Sequence, residues 1–184
     1  MAASAGGISA LTTVLARLPA QFPIPIAIVQ HVDPNHVSLV ADILGRRTPL
    51  RVKQAEAREA MLGGVVYIAP PNHHFLIGGG LSVRLTDTEK VHHVRPSADE
   101  LFQSAADSGR HIIGVVLSGS GTDGARGAAA IRLAGGLVIA QDEASSAFFG
   151  MPQAAIVAGA VDRVLPLDAI ATELIALSRT NGHE

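Results

Sequence analysis

The sequence contains no cysteine. A disulfide framework, a thiolate metal site and a thiol nucleophile are therefore excluded, and a reducing cytosol is the compartment that fits best. No apolar run approaches the roughly 20 residues that a membrane-spanning helix needs, and the N-terminus lacks the charged and then apolar pattern of a signal peptide. We therefore expect a soluble cytoplasmic protein that does not insert into membranes.

Charge of either sign is also sparse. The 14 basic and 16 acidic residues give a formal charge of −2, and they are scattered along the chain. Without a basic stripe to neutralise phosphates, nucleic acid is not an expected partner. Because 48% of the 184 residues are hydrophobic, the chain can bury a sizeable core, and its length suits one domain over residues 1–184.

Helical and strand patterns alternate along the chain. Apolar residues at helical spacing predict helices, and short apolar runs predict buried strands. The predicted helices cover residues 7–18, 37–44, 98–108, 124–133, 152–158 and 167–178, and the predicted strands cover 26–29, 65–69, 112–117, 137–140 and 161–165. Three glycines at 78–80 predict a hairpin between 75 and 85. We expect an α/β, doubly wound, mainly parallel sheet with helices on both faces and an appended antiparallel hairpin.

Ligands of such sheets bind beyond the carboxyl ends of the strands. Ser4 lies in one such loop, where Gly6 and Gly7 let backbone N–H groups approach a ligand closely. Its hydroxyl is a candidate nucleophile, and the alternative is a serine that only caps the following helix. His31 follows the strand at 26–29 and is a candidate general base, with a structural histidine as the alternative.

A glycine-rich loop follows the predicted strand at 112–117. Gly119, Gly121 and Gly124 satisfy G-x-G-x-x-G, and Asp142 lies where a ribose-binding acid would be expected, so a nucleotide-binding module is one interpretation. However, Asp123 would place a carboxylate where the pyrophosphate must bind. The same carboxylate suits the orientation of an imidazole, or the capping of the helix that follows it.

Two histidine pairs, His73–His74 and His92–His93, raise the question of a metal site. Neighbours in a strand point to opposite faces, so each pair would offer one well-directed ligand. No H-E-x-x-H or similar spacing is present. We expect no metal and no cofactor.

Taken together, these loops resemble the catalytic domain of CheB, the chemotaxis protein-glutamate methylesterase, over nearly the whole chain. The matching segments come in the family's order. They are 3–7, 30–31, 67–70, 95–97, 117–127, 140–141 and 150–152.

The resemblance implies that Ser4 is the nucleophile, His31 the general base and Asp123 the residue that orients the base. It also implies an enzyme that demethylates glutamate methyl esters on the cytoplasmic helices of chemoreceptors and can deamidate certain receptor glutamines. Both reactions are acyl transfers to a serine. The oxyanion is expected to bind to backbone N–H groups of a substrate loop comprising Ala5, Gly6, Gly119, Ser120 and Gly121.

Three departures from the family pattern are present. Ala5 stands where the family often has threonine, and Ser120 where it often has methionine. Only Met1–Ala3 precede Ser4, where the family normally has a hydrophobic strand, so we expect Ser4 to be the least ordered member of the triad. The regulatory receiver domain of many members is absent from this chain. An inactive interaction domain of the same fold is the remaining alternative.

Overall fold

The computed structural model of the chain describes residues 1–31 and 38–180. Seven strands form one sheet, in which every neighbouring pair is parallel. They are β1 (Ala2–Ala3), β2 (Ile26–Gln30), β3 (Arg51–Gln54), β4 (Val65–Ile68), β7 (Ile113–Val116), β8 (Leu137–Gln141) and β9 (Arg163–Leu165). Their order across the sheet is β3-β4-β2-β1-β7-β8-β9. A separate antiparallel hairpin joins β5 (His74–Gly78) to β6 (Ser82–Thr86).

Helices cover both faces of the sheet. They are α1 (Gly7–Leu15), α2 (Val40–Gly45), α3 (Ala98–Asp107), α4 (Ala125–Leu133), α5 (Gly150–Val157) and α6 (Leu167–Thr180). One core lies between the sheet and α1, α2 and α6. The other lies beneath α3, α4, α5 and the hairpin. The predicted fold class is therefore confirmed. No helix within the described ranges is long and apolar enough to cross a bilayer.

The two cores explain why the strands read as continuous apolar runs. Successive residues of a strand point to opposite faces, so Ile28 packs in one core and Val29 in the other. Residues Val115 and Val116 divide in the same way. A strand with both faces buried needs an apolar residue at every position.

β1 and β7 are neighbours at the point where the winding of the chain reverses. The helix after β1 covers one face and the helix after β7 covers the other. The loops that follow these two strands therefore diverge and leave a crevice between them. Ser4 and Asp123 lie in these two loops, which places both side chains at the expected binding position of the fold.

The expectation of a poorly anchored N-terminus was wrong. β1 is only two residues long, but it pairs with β2 on one side and with β7 on the other. Met1 continues the pattern, because its amino group donates to the Ala27 carbonyl oxygen at 2.6 Å. Met1, Ala2 and Ala3 are all buried. A short strand is held firmly here because it is central in the sheet.

Other differences from the predicted elements concern boundaries and one edge strand. α1 ends at Leu15, three residues earlier than predicted. The edge strand β3 was not predicted, because its sequence Arg-Val-Lys-Gln has no apolar run. Val37, the first residue of the predicted second helix, lies outside the described residues.

A cavity of about 410 Å³ lies near the amino ends of the central strands. Its lining includes Met1, Ile26 and Ile113 at that edge, together with Phe22 and Phe102. Neither Ser4, His31 nor Asp123 contributes to it. This cavity is therefore on the opposite edge of the sheet from the candidate site.

The close packing of α3 on α4 depends on Gly127. A Cβ at this position would lie 2.5 Å from the Cβ of Phe102 and 2.8 Å from the carbonyl oxygen of Asp99. A backbone oxygen cannot move away without shifting the helix. We predict that Gly127→Ala lowers the free energy of unfolding by about 1–3 kcal/mol, measured by urea denaturation.

Gly45 provides the matched control, because it also lies in a helix and its Cβ would meet only the Val52 side chain, at an ordinary 3.6 Å. Gly45→Ala should leave the stability equal or slightly raised. Equal losses in the two variants would contradict the proposed close contact between α3 and α4.

Candidate active site

Ser4 begins a tight turn between β1 and α1. Its N–H donates to the Ser118 carbonyl oxygen at 3.0 Å, and its own carbonyl oxygen accepts from the Gly7 N–H at 2.8 Å. The Gln30 side-chain amide donates to the same carbonyl oxygen at 2.9 Å. The N-cap of α1 is Gly6, and no side chain caps the helix. The alternative interpretation of Ser4 as a helix cap is therefore not supported.

Gly6 allows this turn to fit beside the neighbouring loops. Its φ of 73° is in the left-handed region, which favours glycine. A Cβ here would lie 2.8 Å from both the Ala147 side chain and the Ser118 hydroxyl. A larger residue would therefore displace the turn that carries Ser4.

His31 follows β2 directly and lies beside Ser4. The register pairs Ala3 with Gln30, so the next residues, Ser4 and His31, emerge side by side from adjacent strands. The His31 N–H donates to the Ala3 carbonyl oxygen at 3.1 Å, which fixes this arrangement. Among the described residues, no hydrogen bond joins the Ser4 hydroxyl to the His31 ring.

The ring of His31 is hydrogen-bonded to Asp123. Its Nε2 lies 2.8 Å from Oδ2 of the carboxylate, and the two side chains are 13% and 4% exposed. The carboxylate therefore engages Nε2 of the ring, and Nδ1 is the ring nitrogen that does not face Asp123. The structure thus brings His31 and Asp123 into direct contact.

Asp123 accepts three further hydrogen bonds at the start of α3. The Ser97 hydroxyl and the Asp99 N–H donate to Oδ1 at 2.7 and 3.0 Å, and the Ala98 N–H donates to Oδ2 at 2.6 Å. Burial raises the pKa of Asp123, but the hydrogen bonds from His31, Ala98, Ser97 and Asp99 outweigh it, and the pKa lies below its ordinary value. The carboxylate therefore remains charged beside the imidazole.

α3 and α4 exchange their caps. Asp123, just before α4, accepts from the first N–H groups of α3. In return, Asp99 in the first turn of α3 accepts at Oδ1 from the Gly124 and Gly127 N–H groups, at 3.0 and 2.8 Å. Ser97 is the N-cap of α3, but its side chain does not cap that helix, because its hydroxyl donates to Asp123.

Candidate oxyanion donors lie on the Ser4 turn and the glycine loop. Within residues 1–31 and 38–180, the N–H groups of Ala5, Gly6, Ser120 and Gly121 have no recorded acceptor. The Gly119 N–H is already bonded to the Phe148 carbonyl oxygen, at 2.9 Å. Of the five residues predicted for the oxyanion loop, four therefore have N–H groups without an acceptor in the part of the chain that the structure describes.

Ser118 fixes the direction of one of these donors. Its hydroxyl donates to the Ala5 carbonyl oxygen at 2.8 Å. Because a peptide unit is planar and trans, the Gly6 N–H of that unit points away from Ser118. The Ser118 N–H is in turn held by Oε1 of Gln141, at 2.9 Å.

Sequence reasoning missed the buried polar residues that support the site. Ser97, Asp99, Ser118 and Gln141 are all buried. A signal existed for Ser118 and Gln141, since both follow apolar strand residues at the carboxyl edge. No such signal existed for Asp99, because an acid in the first turn of a helix is common.

The groups required for nucleotide binding have other partners. The N–H groups of Gly124 and Gly127, where a pyrophosphate would bind, donate to Asp99. Asp142 accepts from the N–H and the hydroxyl of Ser145 in its own loop. This geometry does not favour the nucleotide-binding interpretation.

The histidine pairs do not form a metal site with each other. His74 is buried between Glu89 and Ser97, and His73 is bonded to the Pro71 carbonyl oxygen. His92 and His93 have positive φ and lie outside β1–β9, so the alternation of side chains along a strand does not apply to them.

One further group could hold a metal ion, because ligand atoms of His92, Asp99 and Asp123 lie within 4.8 Å of one another. However, each carboxylate oxygen in this group already accepts a hydrogen bond from the protein. A cation there would have to displace those donors.

A serine beside a histidine that is bound to a buried aspartate, at the carboxyl edge of a parallel sheet, defines a candidate site of the serine hydrolase class. The order Ser, His, Asp along the chain differs from that of the α/β-hydrolases and the chymotrypsin-like enzymes. The arrangement therefore belongs to a fold different from either of these.

Comparison with known proteins identifies the family that has this fold. Residues 1–174 match the CheB methylesterase family. The protein-glutamate methylesterase/protein-glutamine glutaminase 1 of Carboxydothermus hydrogenoformans is 46% identical over 180 residues, covering 95% of this chain and 53% of that protein. The corresponding protein 2 of Anaeromyxobacter dehalogenans is 47% identical over 178 residues, covering 96% and 52%.

The crystal structure of the Thermotoga maritima CheB methylesterase catalytic domain matches with a TM-score of 0.92 and 37% identity, over 96% of this chain and 95% of that one. The chain therefore belongs to the CheB methylesterase family. It spans about half the length of the two curated relatives.

We predict that the charge of Asp123 makes the fold sensitive to acid. A carboxylate with a lowered pKa in the folded state stabilises the fold above the unfolded pKa of about 3.9. That contribution is lost as the pH falls towards the folded value. The free energy of unfolding of Asp123→Asn should therefore fall less than that of the wild type between pH 5 and 3. Parallel curves in urea titrations would contradict this assignment.

Proposed function

We propose that the chain is the catalytic domain of a cytoplasmic protein-glutamate methylesterase. Its substrates would be glutamate methyl esters on the cytoplasmic helices of chemoreceptors, and glutamine amides would be deamidated at the same site. The observation that carries this proposal is the 2.8 Å contact between His31 and Asp123 beside Ser4. The relatives named above support the choice of substrate.

In the first half of the reaction, Nδ1 of His31 removes the proton of the Ser4 hydroxyl. The hydroxyl oxygen attacks the γ-carbonyl carbon of the glutamyl ester and forms a tetrahedral intermediate. The imidazolium then gives its proton to the departing methoxy oxygen, and methanol leaves. Asp123 stabilises the imidazolium throughout and holds the ring in position.

The second half repeats these steps with water. His31 removes a proton from the water, whose oxygen attacks the acyl carbon. The imidazolium then gives this proton to the Ser4 oxygen as the acyl bond breaks, and the glutamic acid side chain that is released loses its own proton to solvent. With glutamine as substrate, the first leaving group is ammonia instead of methanol.

The negative oxygen of each intermediate needs fixed donors, and removal of one donor typically costs about 3 kcal/mol in the barrier. The free N–H groups of Ala5 and Gly6 lie on the Ser4 turn, and those of Ser120 and Gly121 lie on the facing loop. Backbone donors depend on loop geometry and not on side-chain identity. Alanine at position 5 and serine at position 120 are therefore compatible with this role.

We predict that Ser4→Ala and His31→Ala each abolish most turnover, and that Asp123→Asn is the mildest of the three. Because these residues act as one unit, the double variant Ser4→Ala/His31→Ala should be little worse than Ser4→Ala alone. The measurement is the initial rate of methanol release from methylated receptor. Multiplicative losses would contradict a shared proton-transfer unit.

A fluorophosphonate probe distinguishes this enzyme from an inactive domain of the same fold. An activated serine should be labelled in the wild-type protein and not in Ser4→Ala. The hydroxyl of Ser9, exposed on α1, provides the control, since Ser9→Ala should be labelled at the wild-type rate. A wild-type protein that is neither labelled nor able to release methanol would overturn the proposed function.

A further inference from the structure

Asp123 lies one residue before the N-cap of α4, close enough in the chain for its carboxylate to reach the first N–H groups of that helix. It immediately precedes Gly124, the N-cap of α4, which has no side chain. The first N–H groups of a helix have no partner within the helix, and a nearby aspartate is among their preferred acceptors. Such a local cap would draw the carboxylate of Asp123 away from His31.

Asp99 prevents this competition. Its Oδ1 accepts from the N–H groups of both Gly124 and Gly127, at 3.0 and 2.8 Å. The residue is 0% exposed, so water does not compete for these groups. Every recorded hydrogen bond of the Asp123 carboxylate goes to α3, to Ser97 or to His31, and none within the described residues goes to α4.

The position of Asp99 is itself fixed by several contacts. Its N–H donates to Oδ1 of Asp123 at 3.0 Å. Its Oδ2 lies 3.0 Å from Nε2 of His92 and 3.7 Å from Nε of Arg126. The Cβ that Gly127 lacks would meet the backbone of Asp99. The acceptor is therefore held against the start of α4.

We propose that Asp99 is a positioning residue for the proposed esterase reaction. By occupying the first N–H groups of α4, it leaves the carboxylate of Asp123 available to His31. This inference rests on the proposed function for its kinetic consequence, but the contact between His31 and Asp123 is measurable without turnover.

The kinetic test uses Asp99→Ala. Without its acceptor, α4 should recruit Asp123, and kcat on methylated receptor should fall at least tenfold with little change in KM. Movement of the Asp123 carboxylate away from His31 also makes the protonated form of the His31 ring less favourable. Because His31 must be neutral to accept the Ser4 proton, the rate of the proposed reaction should rise with pH. The midpoint of that rise should therefore lie at lower pH in Asp99→Ala than in the wild type, a shift that general destabilisation would not produce.

Two further variants distinguish the proposed positioning role of Asp99 from a general loss of stability. Asp99→Asn keeps an oxygen that can accept from both N–H groups, so it should restore the rate to within about threefold of the wild type. In the Asp123→Asn background, Asp99→Ala should cause little further loss. A full loss in Asp99→Asn, or a multiplicative loss in the double variant, would overturn the proposal.

The matched control is Asp162→Ala. Asp162 also accepts from a backbone N–H, that of Val138 at 2.8 Å, and pairs with Arg132. Asp162 lies in the loop between α5 and β9. This variant should lose stability but keep the wild-type pH midpoint. A shift of the midpoint equal to that of Asp99→Ala would overturn the proposal.

The direct readout is the proton NMR signal of the His31 Nε2–H group. It should be present in the wild type and in Asp99→Asn and lost in Asp99→Ala. Persistence in Asp99→Ala, or loss in Asp99→Asn, would overturn the proposal, and the second comparison applies even when Asp99→Ala does not fold. A wild type with this signal but without turnover would instead reject the proposed function.

Discussion

The candidate site depends on reciprocal capping at the starts of α3 and α4, in which a carboxylate beside each helix accepts hydrogen bonds from the first N–H groups of the other. The first N–H groups of each helix have no acceptor within that helix, and α3 receives its acceptor from Asp123, just before α4, while α4 receives its acceptor from Asp99 in α3. One of these acceptors, Asp123, also binds His31. A local requirement of helix ends is thereby used to hold a charged group that would be costly to bury alone.

The rest of the fold brings Asp123 close to Ser4 and His31. The parallel sheet sets Ser4 beside His31 through the register of β1 and β2. The reversal of winding between β1 and β7 brings the loop of Asp123 to the same crevice. The close contact at Gly127 allows α3 and α4 to approach until their first turns share partners. The sheet thus positions Ser4 and His31, and the helix pair positions Asp123.

Much of this could be predicted from the sequence, because buried parallel strands have continuous apolar runs and their ends carry the polar residues. The edge strand β3 was missed because only its pairing with β4 defines it. Asp99 was missed because its role depends on Gly124 and Gly127, which are distant in sequence from it. The anchoring of β1 was underestimated because its short length was considered without its pairing, which involves β2 on one side and β7 on the other.

The central position of β1 has a consequence for local motion. The amide hydrogen of Ser4 bonds to the neighbouring loop at Ser118, and the carbonyl oxygen of Ala3 accepts from His31. The amide hydrogen of Ser4 can exchange with solvent only when the Ser4 turn separates from the loop after β7, and that of His31 only when the ends of β1 and β2 separate. Ser4 therefore directly follows a strand that is anchored on both sides in the middle of the sheet.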